Sequence, residues 1–122
     1  MDISRAIAAM KQKPGFTEKV GMVLVHNGVV RARTRDGAKG VERLEVTPDH
    51  AKIADICARM ADRPGIFDVV AQAKSGVFLP GDDLLYIIVA GDIRENVLET
   101  MTLTLNTIKS EAVCKTEHHV LG

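Results

Sequence analysis

The spacing of apolar positions changes along the chain, and each change marks an element. Ile3, Ile7 and Met10 fall on one helical face, which predicts a short helix over residues 3–12, ended by Pro14-Gly15. From Val20 to Val30 the sequence is mostly apolar and β-branched, as suits a strand. Val41 to Val46 reads as a second strand. Thr47-Pro48 then has the form of a helix start, with Thr as N-cap and Pro at the first helical position. Ile53, Ile56, Cys57 and Met60 give that helix a buried stripe, and Pro64-Gly65 stops it. Residues 66–73 form a third strand, followed by turns at Lys74-Ser75-Gly76 and Pro80-Gly81-Asp82. Leu84 to Ala90 is apolar without a break, the pattern of a central strand covered on both faces. Asp92 is placed to cap the last helix, with Glu95 in capping-box position. Val97, Met101, Leu105 and Ile108 recur at helical spacing over residues 93–109, and Ala112 to His118 closes the series as a strand.

After residue 20 the order is strand, strand, helix, strand, strand, helix, strand. It predicts an α+β fold with two layers, a mixed or antiparallel sheet carrying helices on one face. A length of 122 residues suits one domain spanning 1–122. Two dipeptides compete for the first chain reversal. Asn27-Gly28 is the stronger hairpin signal, yet it lies within the first apolar run, where Gly permits a bulge or a close backbone approach. The reversal is therefore expected in the Thr34–Gly40 loop, with Asp36-Gly37 at its tip. That puts Arg31 at the end of a strand and Arg33, Arg35 and Lys39 in a mobile basic loop.

Composition narrows the function classes. Sixteen basic and sixteen acidic side chains cancel, and aromatics are 3% with no Trp, so neither charge nor stacking favours nucleic acid. Two cysteines, Cys57 and Cys114, are too few for a disulfide scaffold and show no C-x-x-C spacing. Cys57 falls on an apolar helical stripe and reads as a small core residue. Cys114 directly precedes Lys115, with no identifiable base for a thiolate role. The N-terminus lacks the apolar core of a signal peptide, and the longest apolar run falls far short of a membrane helix. A reducing cytoplasm and no membrane are expected.

No phosphate-binding glycine loop, dinucleotide fingerprint or nucleophile elbow is present, and the histidines at 26, 50, 118 and 119 lack metal-ligand spacing. No metal and no cofactor are expected. Asp82-Asp83 reads as a turn whose carboxylate bonds its own backbone. The cations say more. Arg94 stands at the start of a helix, where it opposes the dipole; it fits either a solvated side chain or an anion site at the helix N-terminus. Lys109 ends the same helix, where the dipole favours a cation. Lys115 alternates with Cys114 along the last strand.

Taken in order, these segments resemble the catalytic (large) subunit of molybdopterin synthase, a MoaE-like family, over about residues 20–117. Gly28-Val29-Val30-Arg31 resembles the G-x-V-R ending of that family's first strand. VERLEV and the helix after it, then the run from Arg63 to Arg94 with Gly76, Phe78 or Leu79, Gly81 and Asp82 in its turn, resemble the following elements. NTIKSEAVCKTE resembles the lysine-rich end. The resemblance implies a ferredoxin-like core with a hammerhead-type β insertion, and a homodimer with a ubiquitin-like small subunit at each end. It implies sulfur transfer from that partner's C-terminal Gly-Gly thiocarboxylate to a cyclic pyranopterin monophosphate, giving molybdopterin. By matching motif, Lys109 and Lys115 would be catalytic, and Arg31 and Arg94 would hold anionic groups of substrate or partner. The chain departs from the pattern at Ile93, where His is common, at Ala112-Val113-Cys114, where Pro-x-Trp is usual, and at His26, where an aromatic is usual. These departures keep a second reading in view: a non-catalytic homodimeric module of the same fold that binds a pterin, a phosphate ligand or the carrier tail.

Overall fold

The structure, a computed structural model, describes residues 2–121. Its elements are α1 (Ile3–Lys11), α2 (Phe16–Lys19), β1 (Met22–Val29), β2 (Val41–Pro48), α3 (His50–Ala61), β3 (Ile66–Ala73), β4 (Gly76–Phe78), β5 (Asp83–Gly91), α4 (Arg94–Glu111) and β6 (Val113–His119). They build an α+β fold around two antiparallel three-stranded sheets, ordered β1-β5-β3 and β4-β2-β6. β4, three residues long, and α2, a single turn, are too short to leave a periodic signature in the sequence.

β5 is the centre, as its unbroken apolar run implies. Ile87, Ile88, Val89 and Ala90 are fully buried. Alternate side chains serve opposite faces. Leu85, Ile87 and Val89 pack with Ile53, Ile56, Val97, Met101 and Ile108 of α3 and α4. Tyr86, Ile88 and Ala90 pack with Met10, Ile3, Ile7 and Phe16 of α1 and α2, where Phe16 meets Phe67 edge to face at 5.7 Å between ring centres. The two helices after residue 20 thus share one face, and the N-terminal helices cover the other. Cys57 belongs to the first cluster, and burial raises its thiol pKa to about 11.

β1 and β2 do not form a hairpin with each other. β1 pairs with β5, with a register shift between Gly28 and Val29, and β2 pairs with β4 and β6 in the second sheet. Asn27-Gly28 therefore lies within a strand beside a bulge, as expected. The chain reverses at Asp36-Gly37, where Gly37 takes φ +77°. Thr34 Oγ1 donates to Asp36 Oδ1 at 2.6 Å and the Ala38 amide donates to the same oxygen at 2.9 Å, closing the loop tip. The second reversal runs through Asp82, whose Oδ2 accepts from the Leu79 amide at 2.8 Å, the backbone-bonding turn anticipated for it.

Two helix starts differ from the sequence expectation. Thr47 and Pro48 remain in β2, and Asp49 is the N-cap of α3, its Oδ1 accepting from the Lys52 amide at 3.0 Å. Pairing with β6 holds the strand through Pro48, which lends its fixed φ to the strand end rather than to a first helical turn. At α4 the N-cap position falls on Ile93, with no side-chain cap. The Asp92 carboxylate instead takes the Ile93 amide at 2.6 Å and the Asn96 side chain at 2.9 Å, while Glu95 turns toward Arg94 at 3.8 Å, so no capping box forms. Replacing Asp49 with Ala should lower stability by about 1 kcal/mol through loss of the cap, and replacing Thr47 with Ala by clearly less. Denaturant midpoints of the two variants check the assignment; the reverse order would return the cap to Thr47.

Candidate functional site

Where β1 bulges and leaves the first sheet, the apolar layer stops and a cleft opens between the two sheets and the end of α4. It holds about 600 Å³ and is lined by His26, Gly28, Arg31, Arg35, Lys109 and Lys115, with Leu84, Leu85 and Leu105 among its apolar walls. A smaller cleft of about 370 Å³ adjoins it, sharing Arg31, Arg35, Leu84 and Lys115 and adding Arg33 and Glu117. No carboxylate lines the larger cleft among the described residues.

Each cation reaches the cleft for a local reason. Arg31 follows the bulge and the Val30 anchor, whose amide donates to the Asp82 carbonyl at 3.0 Å. Arg33 and Arg35 follow at alternate positions on the way to the loop tip. Lys109 sits in the last turns of α4, where its charge suits the helix dipole. Lys115 lies across from Val46 on β6, so it points to the inner side of the second sheet, as do Val113 and Glu117. Cys114, across from Thr47, points to the opposite side and lines a separate depression with Ser110 and Glu111. That position keeps its thiol away from Lys115.

The structure does not bring every candidate together. Arg94 starts α4 and Lys109 lies fifteen residues on, about 22 Å away along the axis. The Arg94 side chain is 76% exposed and pairs only loosely with Glu95. Lys39 lines another hollow with Ala38 and Val120. A further cleft of about 560 Å³ near the start of α4 sets Lys19 against Glu18 and Asp92 and gathers no cation cluster. Sequence reasoning overlooked His26, left among scattered histidines. Strand parity was the available signal: residues 24, 26 and 28 share one face of β1, and His26 is the polar one at the open end.

The family model for MoaE protein matches residues 1–111. The chain belongs to the MoaE family. This is the large-subunit family of molybdopterin synthase, and at family level its process is molybdenum cofactor biosynthesis. Among solved structures, the molybdopterin cofactor biosynthesis protein E of Burkholderia multivorans is similar at TM-score 0.75 and 23% identity, covering 98% of this chain and 84% of that one. Molybdopterin synthase from Staphylococcus aureus is similar at TM-score 0.72 and 23% identity, over 84% of this chain and 77% of that one. A complex of subunits 1 and 2 of the molybdopterin-converting factor from Helicobacter pylori contains a chain similar at TM-score 0.67 and 17% identity, over 99% of this chain and 84% of that one. These likenesses establish the MoaE fold. No helix among the described residues is long and apolar enough to cross a membrane.

In this MoaE cleft the cations disturb one another. Lys115 keeps solvent access, but partial desolvation and the nearby Lys109 hold its ammonium below the ordinary lysine value, with Glu117 opposing. His26 is likewise held below the ordinary histidine value, first by burial, then by Lys109 and Lys115. A lysine displaced in this direction offers more free amine near neutrality, as acid–base or nucleophilic chemistry requires. Planar guanidinium groups at Arg31 and Arg35 suit phosphate or carboxylate. Because Lys115 depresses His26, replacing Lys115 with Met should raise the His26 titration midpoint. Its imidazole NMR signals report this directly, and an unmoved midpoint would place Lys115 outside His26's field.

Proposed function

We propose that this chain is the large subunit of a molybdopterin synthase, and that its cationic cleft transfers sulfur from the C-terminal thiocarboxylate of a small ubiquitin-like partner to a cyclic pyranopterin monophosphate, giving molybdopterin. The observation that supports this most is the convergence of Arg31, Arg35, Lys109 and Lys115 on one cleft without a lining carboxylate, in a chain of this family. Both reactants are anionic, through a phosphate and a thiocarboxylate. The volume, about 600 Å³, falls in the usual range for small-molecule sites. In this proposal Lys109 and Lys115 perform the proton transfers, and partial burial beside Lys109 makes the Lys115 amine more available. Arg31 holds an anionic group. The loop of Arg33, Arg35 and Lys39 moves toward the bound anion as one closed turn, because its tip is already tied by Thr34 and Asp36.

Arg94 enters through assembly. Lying about 22 Å from Lys109 in its own chain, it would serve the cleft of the second protomer in a homodimer. The small-subunit partner is proposed by analogy with the two-subunit complex from Helicobacter pylori. The second reading, a binding module without turnover, draws on Ile93 and on Ala112-Val113-Cys114, where the residues preceding Arg94 and Lys115 depart from the family pattern.

Purified chain mixed with a thiocarboxylated small subunit and the pterin precursor should yield molybdopterin. Lys109→Ala should reduce the rate about 10²–10⁴-fold, the usual contribution of an acid–base group, while still binding the partner. No product, where a competent control enzyme succeeds, would leave the binding module. Mixing equal amounts of Lys109→Ala and Arg94→Ala chains should restore roughly a quarter of wild-type turnover, because half the dimers then carry one intact site. No restoration would remove Arg94 from the neighbouring site.

A further inference from the structure

His26 is the residue of the cleft with no assigned role. It lies across from the buried Ile87, on the face of β1 turned toward α4. Two residues on, Gly28 shares that face, and a Cβ at Gly28 would come 3.4 Å from His26 Nε2. The glycine thus leaves this nitrogen open toward the cleft. The charged groups around the ring come from three elements: Lys109 of α4, Lys115 of β6, and Arg31 and Arg35 of the loop after β1. β5 presents Leu85, Ile87 and Val89 on this face. Its one carboxylate, Asp83 at the strand's start, is outside the cleft lining and accepts from Asn27 Nδ2 at 3.2 Å, and the remaining polar neighbour, Asn106, is neutral. Glu117 belongs to the adjoining cleft, where it accompanies Lys115.

We propose that His26 is a further donor to the anion bound in the cleft beside Lys109 and Lys115, binding it as the imidazolium and so taking up one proton for each anion bound. This deepens the anion-binding cleft proposed above and rests on it. In the empty cleft, two ammonium groups and partial burial favour the neutral ring. An anion between the lysines cancels their field at His26 and adds an attraction of its own, so the ring captures a proton from solvent and Nε2–H turns to the anion. No other bond changes. By linkage, anion affinity then rises as pH falls through the His26 midpoint.

Sulfate is the probe, because it does not itself titrate between pH 5 and pH 8. The imidazole signals of the full chain are followed by NMR against pH, in chloride and in sulfate at matched ionic strength, with the other histidines as controls. The His26 midpoint should move up in sulfate by about one pH unit, the scale set by one neighbouring charge. Sulfate affinity should correspondingly strengthen several-fold from pH 8 to pH 6, approaching about tenfold only below the midpoint of the empty cleft. In His26→Phe and His26→Gln that dependence should flatten while sulfate still binds. A His26 midpoint unmoved by sulfate, with Lys109 and Lys115 signals shifting, would overturn the role of His26 and leave the anion cleft standing. If no cleft signal responds to sulfate, the anion cleft falls, and this inference with it.

Discussion

The burial of β5 on both faces is the constraint from which the rest follows. A strand that runs Leu84 to Ala90 with only the Tyr86 hydroxyl polar cannot leave either face in water, since each Ile or Val left exposed would forgo roughly 1.5–3 kcal/mol. One face needs α3 and α4, the other α1 and α2, and the strand's backbone needs β1 and β3 on its two edges. These demands use most of the apolar residues in the chain. They also fix where the core ends. Near Leu84 and Leu85, themselves still buried, β1 bulges away, so the edge of the core at the start of β5 forms a wall of the cleft.

That boundary explains why charge can gather there. Like charges 4 Å apart cost about 1 kcal/mol in water and several times more near a protein surface. Four cations around a cleft with no lining acid are therefore tolerable only because the cleft is open to solvent. The α4 C-terminus offsets part of the cost at Lys109, and Glu117 part of it at Lys115. The balance of sixteen basic against sixteen acidic side chains conceals this local excess entirely. The acids lie elsewhere: Asp36 in its turn, Asp49 and Asp92 at helix starts, Glu45 beside His118 on the outer side of the second sheet. These acids serve turns, helix starts and a histidine away from the cleft, which leaves the cleft cationic by segregation rather than by composition.

Much of this was legible along the chain, because β5, α3 and α4 are long and strongly patterned and the bulge at Gly28 sits inside an apolar run. What failed were choices between neighbouring residues with similar local chemistry. Thr47-Pro48 and Asp49 both fit a helix start, and the pairing of β2 with β6 decides between them. Asp92 could cap α4, but its carboxylate is taken by the adjacent Ile93 amide and by Asn96. That β1 and β2 belong to different sheets depends on partners far along the chain, which no local pattern encodes. The gathering of Arg31, Lys109 and Lys115 came from family resemblance, whereas the separation of Arg94 from Lys109 needed only the rise of a helix.

The departures from the family pattern take on different weights once they are placed in the fold. Ala112 is buried, and its carbonyl accepts from the Asp49 amide at 2.7 Å, so this position serves the junction of β2, α3 and α4 whatever residue fills it. Cys114 faces away from Lys115, and Ile93 is 53% exposed at the far end of α4 from Lys109. None of the three enters the chain's own cleft. His26 does, and it replaces an aromatic with a ring that can carry a proton, in the field of both lysines. An apolar aromatic there would leave the cleft's charge to Lys109, Lys115 and the arginines alone. On the proposal made for His26, the charge would also depend on whether an anion is present, because burial, Lys109 and Lys115 hold the ring toward its neutral form. On the role proposed for His26, the difference at this position would act on how the cleft carries its charge.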